Sequence, residues 1–252
     1  MLWAGRPSAE TTLRAATLRQ LLPRPDTLLA VVTHNGNALR MSRLLRLPRI
    51  LLFTDEATAR RRGRGVIATI ARTLNDIDVA GGVAVVVRHK AGHPSARTLA
   101  AALRGICRRA GALIFAHDDA AAVSALDLDG VHLAQASSPR LARLRMPPGR
   151  LLGQSVHVGE GVDDVCDYVT VSPVFRPGSK ENDRRPGLGV HGLAAFARDH
   201  HDGPAIFALG GVDDRNARAC IAHGAYGVAV IGAVAAALDP GAALERLRRV
   251  VA

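Results

Sequence analysis

Of the 33 basic residues in this chain only Lys90 and Lys180 are lysine, and the rest are arginine. On a solvated surface the two cations serve alike, but a compact ammonium and a planar guanidinium fork differ where an anion must be met as a point charge. Two lysines kept against such a bias point to a phosphate-bearing ligand. Arg88 stands two residues before Lys90, and Asp118 begins an acidic pair with Asp119. Three cations with one carboxylate suit a diphosphate accompanied by Mg²⁺, since that ion is commonly held by one or two carboxylates together with substrate phosphates. A second anion site is suggested by Gly210-Gly211 and by Ile231-Gly232-Ala233. There the missing Cβ atoms let backbone N–H groups approach a phosphate, and a helix start would add further donors.

The elements that must position these residues can be read from Arg49 onward. Nearly continuous apolar runs occupy 50–54, 83–88, 112–116, 130–133, 151–155, 168–171, 205–209 and 227–231. Such runs are expected of parallel strands covered on both faces. Between them lie stretches of helical spacing, among them 65–74, 96–109, 214–223 and 241–251. Eight strands alternating with helices over roughly 200 residues predict a single (β/α)8 TIM barrel. In that fold chemistry belongs at the C-terminal ends of the strands, and phosphate pockets favour the loops after strands 7 and 8. Arg88 and Lys90 follow strand 2, His117 and Asp118 follow strand 3, and Ser155 and His157 follow strand 5. Ser179 and Lys180 lie in a long loop broken by Gly and Pro after strand 6, with Arg176, and both glycine pairs follow strands 7 and 8. Both lysines therefore fall at the mouth.

Composition narrows the alternatives. The chain has 252 residues, 48% of them apolar but only 3% aromatic, which predicts a core built from Ala, Leu, Val and Ile. No run approaches the roughly 18 apolar residues of a membrane span, so a soluble chain without a membrane partner is expected. Close to half of the net charge of +11 lies before Arg49, where Glu10 and Asp26 are the only acids. Beyond it the chain is mildly basic and lacks the aromatic and basic interleaving that stacks bases, which argues against a nucleic-acid partner. Residues 1–48 read as an extension outside the barrel, which takes up 49–252. Cys107, Cys166 and Cys220 have no metal-binding or disulfide spacing and fit a reducing cytoplasm. A homo-oligomer is compatible with the sequence.

Several motifs stand in order along the chain: Asp129-Gly130-Val131-His132-Leu133-Ala134-Gln135, Gly153-Gln154-Ser155-Val156-His157, Asp167-Tyr168-Val169 leading to Ser172-Pro173-Val174-Phe175, Gly210-Gly211-Val212 and Gly227-Val228-Ala229-Val230-Ile231. As an ordered set they resemble the thiamine phosphate synthase family and its thiazole tautomerase relatives. The resemblance runs from about Ile50 to the C-terminus and implies a (β/α)8 barrel that binds two small molecules, an aminopyrimidine diphosphate and a thiazole phosphate. It implies that the thiazole nitrogen displaces diphosphate from the pyrimidine methylene, giving thiamine phosphate. By resemblance, Arg88, Lys90 and Lys180 hold the diphosphate, with Ser155, Ser179 and the position of His117 also meeting substrate. The same resemblance implies that Asp118 is a magnesium ligand and that Gly211, Ile231 and Gly232 offer backbone to the thiazole phosphate.

The chain departs from the family pattern at four places. Val86 stands for a glutamine, His117 for an asparagine, Ser137 for the second magnesium aspartate and Gly232 for a serine. Asp119 or the diphosphate itself would then have to fill the gap at the metal. His157, in its Ser-x-His setting, also suits the proton transfers of the tautomerase, since an unperturbed imidazole titrates near pH 6.5. His132, inside a strand, reads as a packed and hydrogen-bonded barrel residue. A transferase, an isomerase and a non-catalytic phosphate-binding relative remain as readings. They separate at the lysines: for the transferase, Lys180→Ala should lower kcat for thiamine phosphate formation by about 10²-fold or more, as for loss of one preorganised donor. Lys180→Arg should recover only part of this, and His157→Ala should cost far less in the same assay.

Overall fold

The computed structural model describes residues 45–88, 95–176 and 186–252. Its strands are β1 (Ile50–Phe53), β2 (Val83–Val87), β3 (Leu113–His117), β4 (Gly130–Leu133), β5 (Leu151–Val156), β6 (Tyr168–Val171), β7 (Ala205–Leu209) and β8 (Gly227–Val230). The helices among the described residues are α1 (Glu56–Arg61), α2 (Val66–Leu74), α3 (Ser95–Arg109), α4 (Ala120–Ala125), α5 (Pro139–Arg145), α6 (Gly189–Asp199), α7 (Ala217–Ala222), α8 (Gly232–Ala235) and α9 (Pro240–Val251). All strand pairs are parallel in sequence order, and β8 returns to β1 with Ile50 opposite Val228, which closes the barrel. The expected (β/α)8 fold is the one observed.

Helix starts follow side-chain chemistry. Asp55, Asp119, Ser138 and Asp239 each accept a hydrogen bond from the backbone N–H three residues on, which satisfies donors a helix leaves open. The helix expected from 214 begins only at Ala217. Asp213 Oδ1 accepts from the Arg215 N–H at 2.9 Å and Asn216 Oδ1 from the Asp213 N–H at 2.9 Å, and this local turn competes with the helix. Likewise β2 stops at Val87, one residue short of the expectation, because the Arg88 N–H turns to Thr54 Oγ1 at 2.8 Å and Val86 O at 2.9 Å.

Period-two alternation divides the core. Leu52, Val85, Ile114, Leu152, Val169, Ile206 and Val228 face the helices, in a layer built chiefly of aliphatic side chains. The inner face is different from the expected Ala, Leu, Val and Ile. Phe53, Phe115, Tyr168 and Phe207 fill it together with Leu51, Val86 and Leu151, and Leu47 closes the floor. Four of the chain's eight aromatic residues thus supply large, rigid bodies that fill the cylinder. Leu47, within the segment expected to lie outside the barrel, is 4% exposed, and its carbonyl accepts from Tyr226 OH at 3.1 Å.

Large inward rings demand glycine opposite them. A Cβ at Gly153 would stand 2.0 Å from Tyr168 Cζ, and one at Gly227 would stand 2.6 Å from a Phe207 ring carbon. Gly153→Ala should therefore destabilise the protein by about 3 kcal/mol, the upper range of overpacking. Urea denaturation checks this, and an unchanged midpoint would show that the Tyr168 ring can move aside.

Candidate active site

The same alternation carries side chains from the floor to the mouth. Arg88 follows Val86 on the inner face of β2, His117 follows Phe115 on β3, Ser155 follows Gly153 on β5, and Ile231 follows Ala229 just beyond β8. Neighbouring strands β2 to β5 thus bring Arg88, His117, Asp118 and Ser155 to one arc of the rim. Gly210, Gly211, Ile231 and Gly232 follow β7 and β8 on another. Lys90, Ser179 and Lys180 lie outside the described residues.

Arg88 is anchored twice. Thr54 Oγ1 donates to its carbonyl at 2.9 Å while accepting from its N–H, and the guanidinium forms an ion pair with Asp55. Burial opposes charge on Asp55, but hydrogen bonds from Thr58 and the pairing with Arg88 prevail, so its pKa falls below the ordinary 3.8.

Asp118 occupies the left-handed region, with φ of 57°, directly after β3. A non-glycine residue there carries strain that the surroundings must overcome. Here its N–H donates to His132 O at 2.9 Å, and its Oδ1 accepts from the Ala134 N–H at 3.2 Å and from the Ser137 hydroxyl. The loop supplying those donors is itself tied down, because Gln154 Nε2 donates to Gln135 O at 3.0 Å and Ser137 O at 2.9 Å. Asp119 does not join Asp118. It caps α4 and is gripped by Arg97 at 2.7 and 3.0 Å, and the Arg97 hydrogen bond holds its pKa down. The expectation that Asp119 replaces the missing aspartate is thereby corrected: both its oxygens are already engaged.

His117 is half-buried, and its Nδ1 is buried without a hydrogen-bond partner among the described residues. Desolvation lowers its pKa, and both Asp118 and Arg88 are close enough to perturb it in opposite senses. Its ring centroid lies 6.0 Å from that of His132, whose Nε2 is 2.9 Å from Ser155 Oγ. Beyond them Gln135, Gln154, Ser155, Val156, Glu160 and Gly161 line a cleft of about 220 Å³. His157 sits on its edge with Nδ1 donating to Ser172 O at 2.9 Å. On the opposite arc, Gly210 and Gly211 have φ of 95° and 63°, and a Cβ on either would come within 2.8 Å of the overlying β6 loop. Only glycine suits that combination of conformation and closeness. Ile231 caps α8, and Gly232 is its first residue.

A family profile described as thiamine monophosphate synthase matches residues 54–234. The chain is 35% identical over 210 residues to the thiamine-phosphate synthase of Chloroflexus aurantiacus, spanning 81% of this chain and 92% of that one. It is 39% identical over 158 residues to that of Parasynechococcus marenigrum, spanning 60% of this chain and 43% of the relative. Among solved structures, the thiamine phosphate pyrophosphorylase from Pyrococcus furiosus superimposes with a TM-score of 0.64 at 26% identity, covering 82% of this chain and 96% of that one. The chain belongs to the thiamine monophosphate synthase family.

Membership raises the question of a divalent cation. Among the described residues no three His, Cys, Asp or Glu side chains converge. Asp118 Oδ2 has no protein partner among them, while Oδ1 is braced and the Ser137 hydroxyl stands beside it. One free carboxylate oxygen fits Mg²⁺ that arrives with substrate phosphates, not a cage that holds the ion alone.

Three features of this family member went unassigned from sequence. Asp55 stands in a polar segment directly after β1, and nothing in the sequence marks it as the partner of Arg88. Ser137 was seen only as a lost carboxylate, whereas its hydroxyl braces Asp118. Gln154 had a signal, a lone amide on the otherwise apolar outer face of β5. Asp55→Asn keeps a side chain able to cap α1 but removes the ion pair with Arg88, and should cost about 1 kcal/mol at neutral pH, the upper end for a pair not fully buried. A depressed pKa contributes stability fully above the ordinary 3.8 and loses it as pH falls through the lower folded value. The difference between Asp55→Asn and the parent should thus vanish in strong acid, as denaturant titrations from neutral to acidic pH would show.

Proposed function

We propose that this protein is a thiamine-phosphate synthase, a transferase of thiamine biosynthesis, joining 4-amino-2-methylpyrimidine-5-methyl diphosphate to thiazole phosphate. The observation that carries the reading is the braced, strained Asp118 set among Arg88, His117 and Ser155 in a chain that aligns over most of its length with synthases. The isomerase alternative finds no support in those relatives, which bear the synthase's name.

In this reading the C–O bond to diphosphate breaks and a bond forms from the thiazole nitrogen to the pyrimidine methylene carbon. Positive charge fixed beforehand at the leaving group favours that step, because charge builds there as the bond breaks. Arg88, held by Asp55, presents one such charge, and Lys90 and Lys180 present two more from the loops after β2 and β6. Ser155 and Ser179 donate hydrogen bonds to the diphosphate. His117, kept neutral at physiological pH by burial, meets the pyrimidine through its unsatisfied Nδ1. The backbone of Gly211, Ile231 and Gly232 receives the thiazole phosphate. Mg²⁺ held by Asp118 would neutralise charge on the departing diphosphate. Residues 1–48 take no part in this chemistry, and Leu47 among them serves only the barrel floor.

The three cysteines are free and buried, their thiols pushed up to about 12, 12 and 11, as suits a reducing cytoplasm. Among the described residues no helix is long and apolar enough to cross a membrane. The deciding assay mixes the purified protein with both substrates and Mg²⁺ and separates thiamine phosphate by chromatography; absence of product refutes the proposal. Asp118→Asn should raise the Mg²⁺ requirement at least tenfold, roughly the effect of altering a metal's ligand surroundings, while leaving the melting temperature nearly unchanged. Ser137→Asp should lower the requirement, and without metal it should melt earlier through carboxylate repulsion. A large loss of stability in Asp118→Asn would mark the residue as structural instead.

A further inference from the structure

A file of polar groups runs from the middle of the barrel to its mouth. Tyr168 OH lies 3.2 Å from His132 Nδ1, His132 Nε2 lies 2.9 Å from Ser155 Oγ, and Thr170 Oγ1 donates to the same Ser155 oxygen at 3.4 Å. Tyr168, His132 and Thr170 are fully buried, and only Ser155 is partly exposed. We infer that Tyr168, His132 and Ser155 form a one-way hydrogen-bond relay that fixes the Ser155 hydroxyl as a donor to the mouth, where it takes an acceptor oxygen of an anionic ligand, a diphosphate. The inference rests on the synthase reading only for the identity of that ligand.

The direction follows from counting protons. A phenol has one O–H, and among the described residues its sole acceptor is His132 Nδ1. If Nδ1 carried the ring proton instead, it would donate to the phenol oxygen and strand the phenol proton in the core. A buried donor left unmet forfeits its hydration without return. Tyr168 therefore donates, His132 carries its proton on Nε2, and Nε2 donates to Ser155. The Thr170 hydroxyl likewise has no other acceptor among the described residues, so it too donates to Ser155. A hydroxyl oxygen has two acceptor positions and one proton. Both positions are then filled from below, and the only proton left unassigned in the file is that of Ser155.

The geometry is held from several sides. The Phe53 ring meets His132 edge-on at 4.9 Å and 89°, and the Tyr168 ring lies nearly parallel to it at 5.7 Å and 24°. Glycine at 153 makes room for the Tyr168 ring. Desolvation, with a smaller effect from His117, holds the His132 pKa well below 6.5, so the imidazole stays neutral. Tyr168 and His132 thus act through Ser155 and are positioning residues.

Nitrogen-15 spectra of histidine-labelled protein, with His132 assigned by its loss in His132→Gln, test the relay without substrate. The proton is expected on Nε2; a proton on Nδ1 overturns the inference, whatever the fate of any variant. In the synthase assay Ser155→Ala should lower kcat by about 10²-fold and Tyr168→Phe by about tenfold, within the range for losing or misaligning a preorganised donor. Placed in Ser155→Ala, Tyr168→Phe should cost nothing more, and additive losses would overturn the relay. Melting curves of Tyr168→Phe separate this from simple destabilisation, since a structural role moves the melting temperature but not the cycle. Binding of inorganic diphosphate with Mg²⁺ should weaken in Ser155→Ala. That result with an Nε2 proton, in a protein that forms no thiamine phosphate, would uphold the relay and remove the synthase reading alone.

Discussion

A closed ring of parallel strands offers its interior only one residue in two, and each strand face that fills the floor continues without a break into the mouth. In this chain that constraint couples packing to chemistry along single strands. Val86 and Arg88 share a face, as do Phe115 and His117, and Gly153 and Ser155. A slip of one residue in any strand would turn its mouth residue outward among the helices. The glycines opposite Tyr168 and Phe207 therefore guard register as well as volume. An oversized residue there would displace the very rings against which the next layer is aligned.

Above that layer the charges are held by different means. Arg88 is fixed by an ion pair to the residue that also caps α1, so the cap and the cation share one carboxylate. Asp118 is fixed by neutral donors, a backbone N–H and a hydroxyl, and among the described residues no cation is paired with it. Asp119, its neighbour in sequence, is the reverse case, fully engaged by Arg97 and its own helix. Two adjacent aspartates with the same side chain thus differ in availability because one terminates a strand and the other starts a helix.

The fold was legible because eight apolar runs recur with helical stretches between them, and that pattern needs no knowledge of contacts. The position of Arg88, His117, Asp118 and Ser155 on neighbouring strands was legible for the same reason. What the pattern could not show is which groups are spoken for. Whether Asp119 is free depends on Arg97, 22 residues away, and whether Ser137 is a loss or a brace depends on the loop held by Gln154. The aromatic filling of the barrel was hidden too, since a low overall share says nothing of where Phe53, Phe115, Tyr168 and Phe207 gather. Period two carries that information only once the register is known.

The barrel's other end has its own logic. There Arg49 Nε donates to Val251 O at 3.0 Å, its guanidinium covers the Tyr226 ring at 4.8 Å, and Leu47 plugs the opening. The start of β1 and the end of α9 are thus stitched together across the base, with the whole length of the cylinder between them and the polar rim. Sequence drift at the base can tune thermal resistance while the rim stays as it is. A loop joining residues near 47 to those near 251, with new ends opened elsewhere, would keep the ring intact, so circular permutation is open to this scaffold.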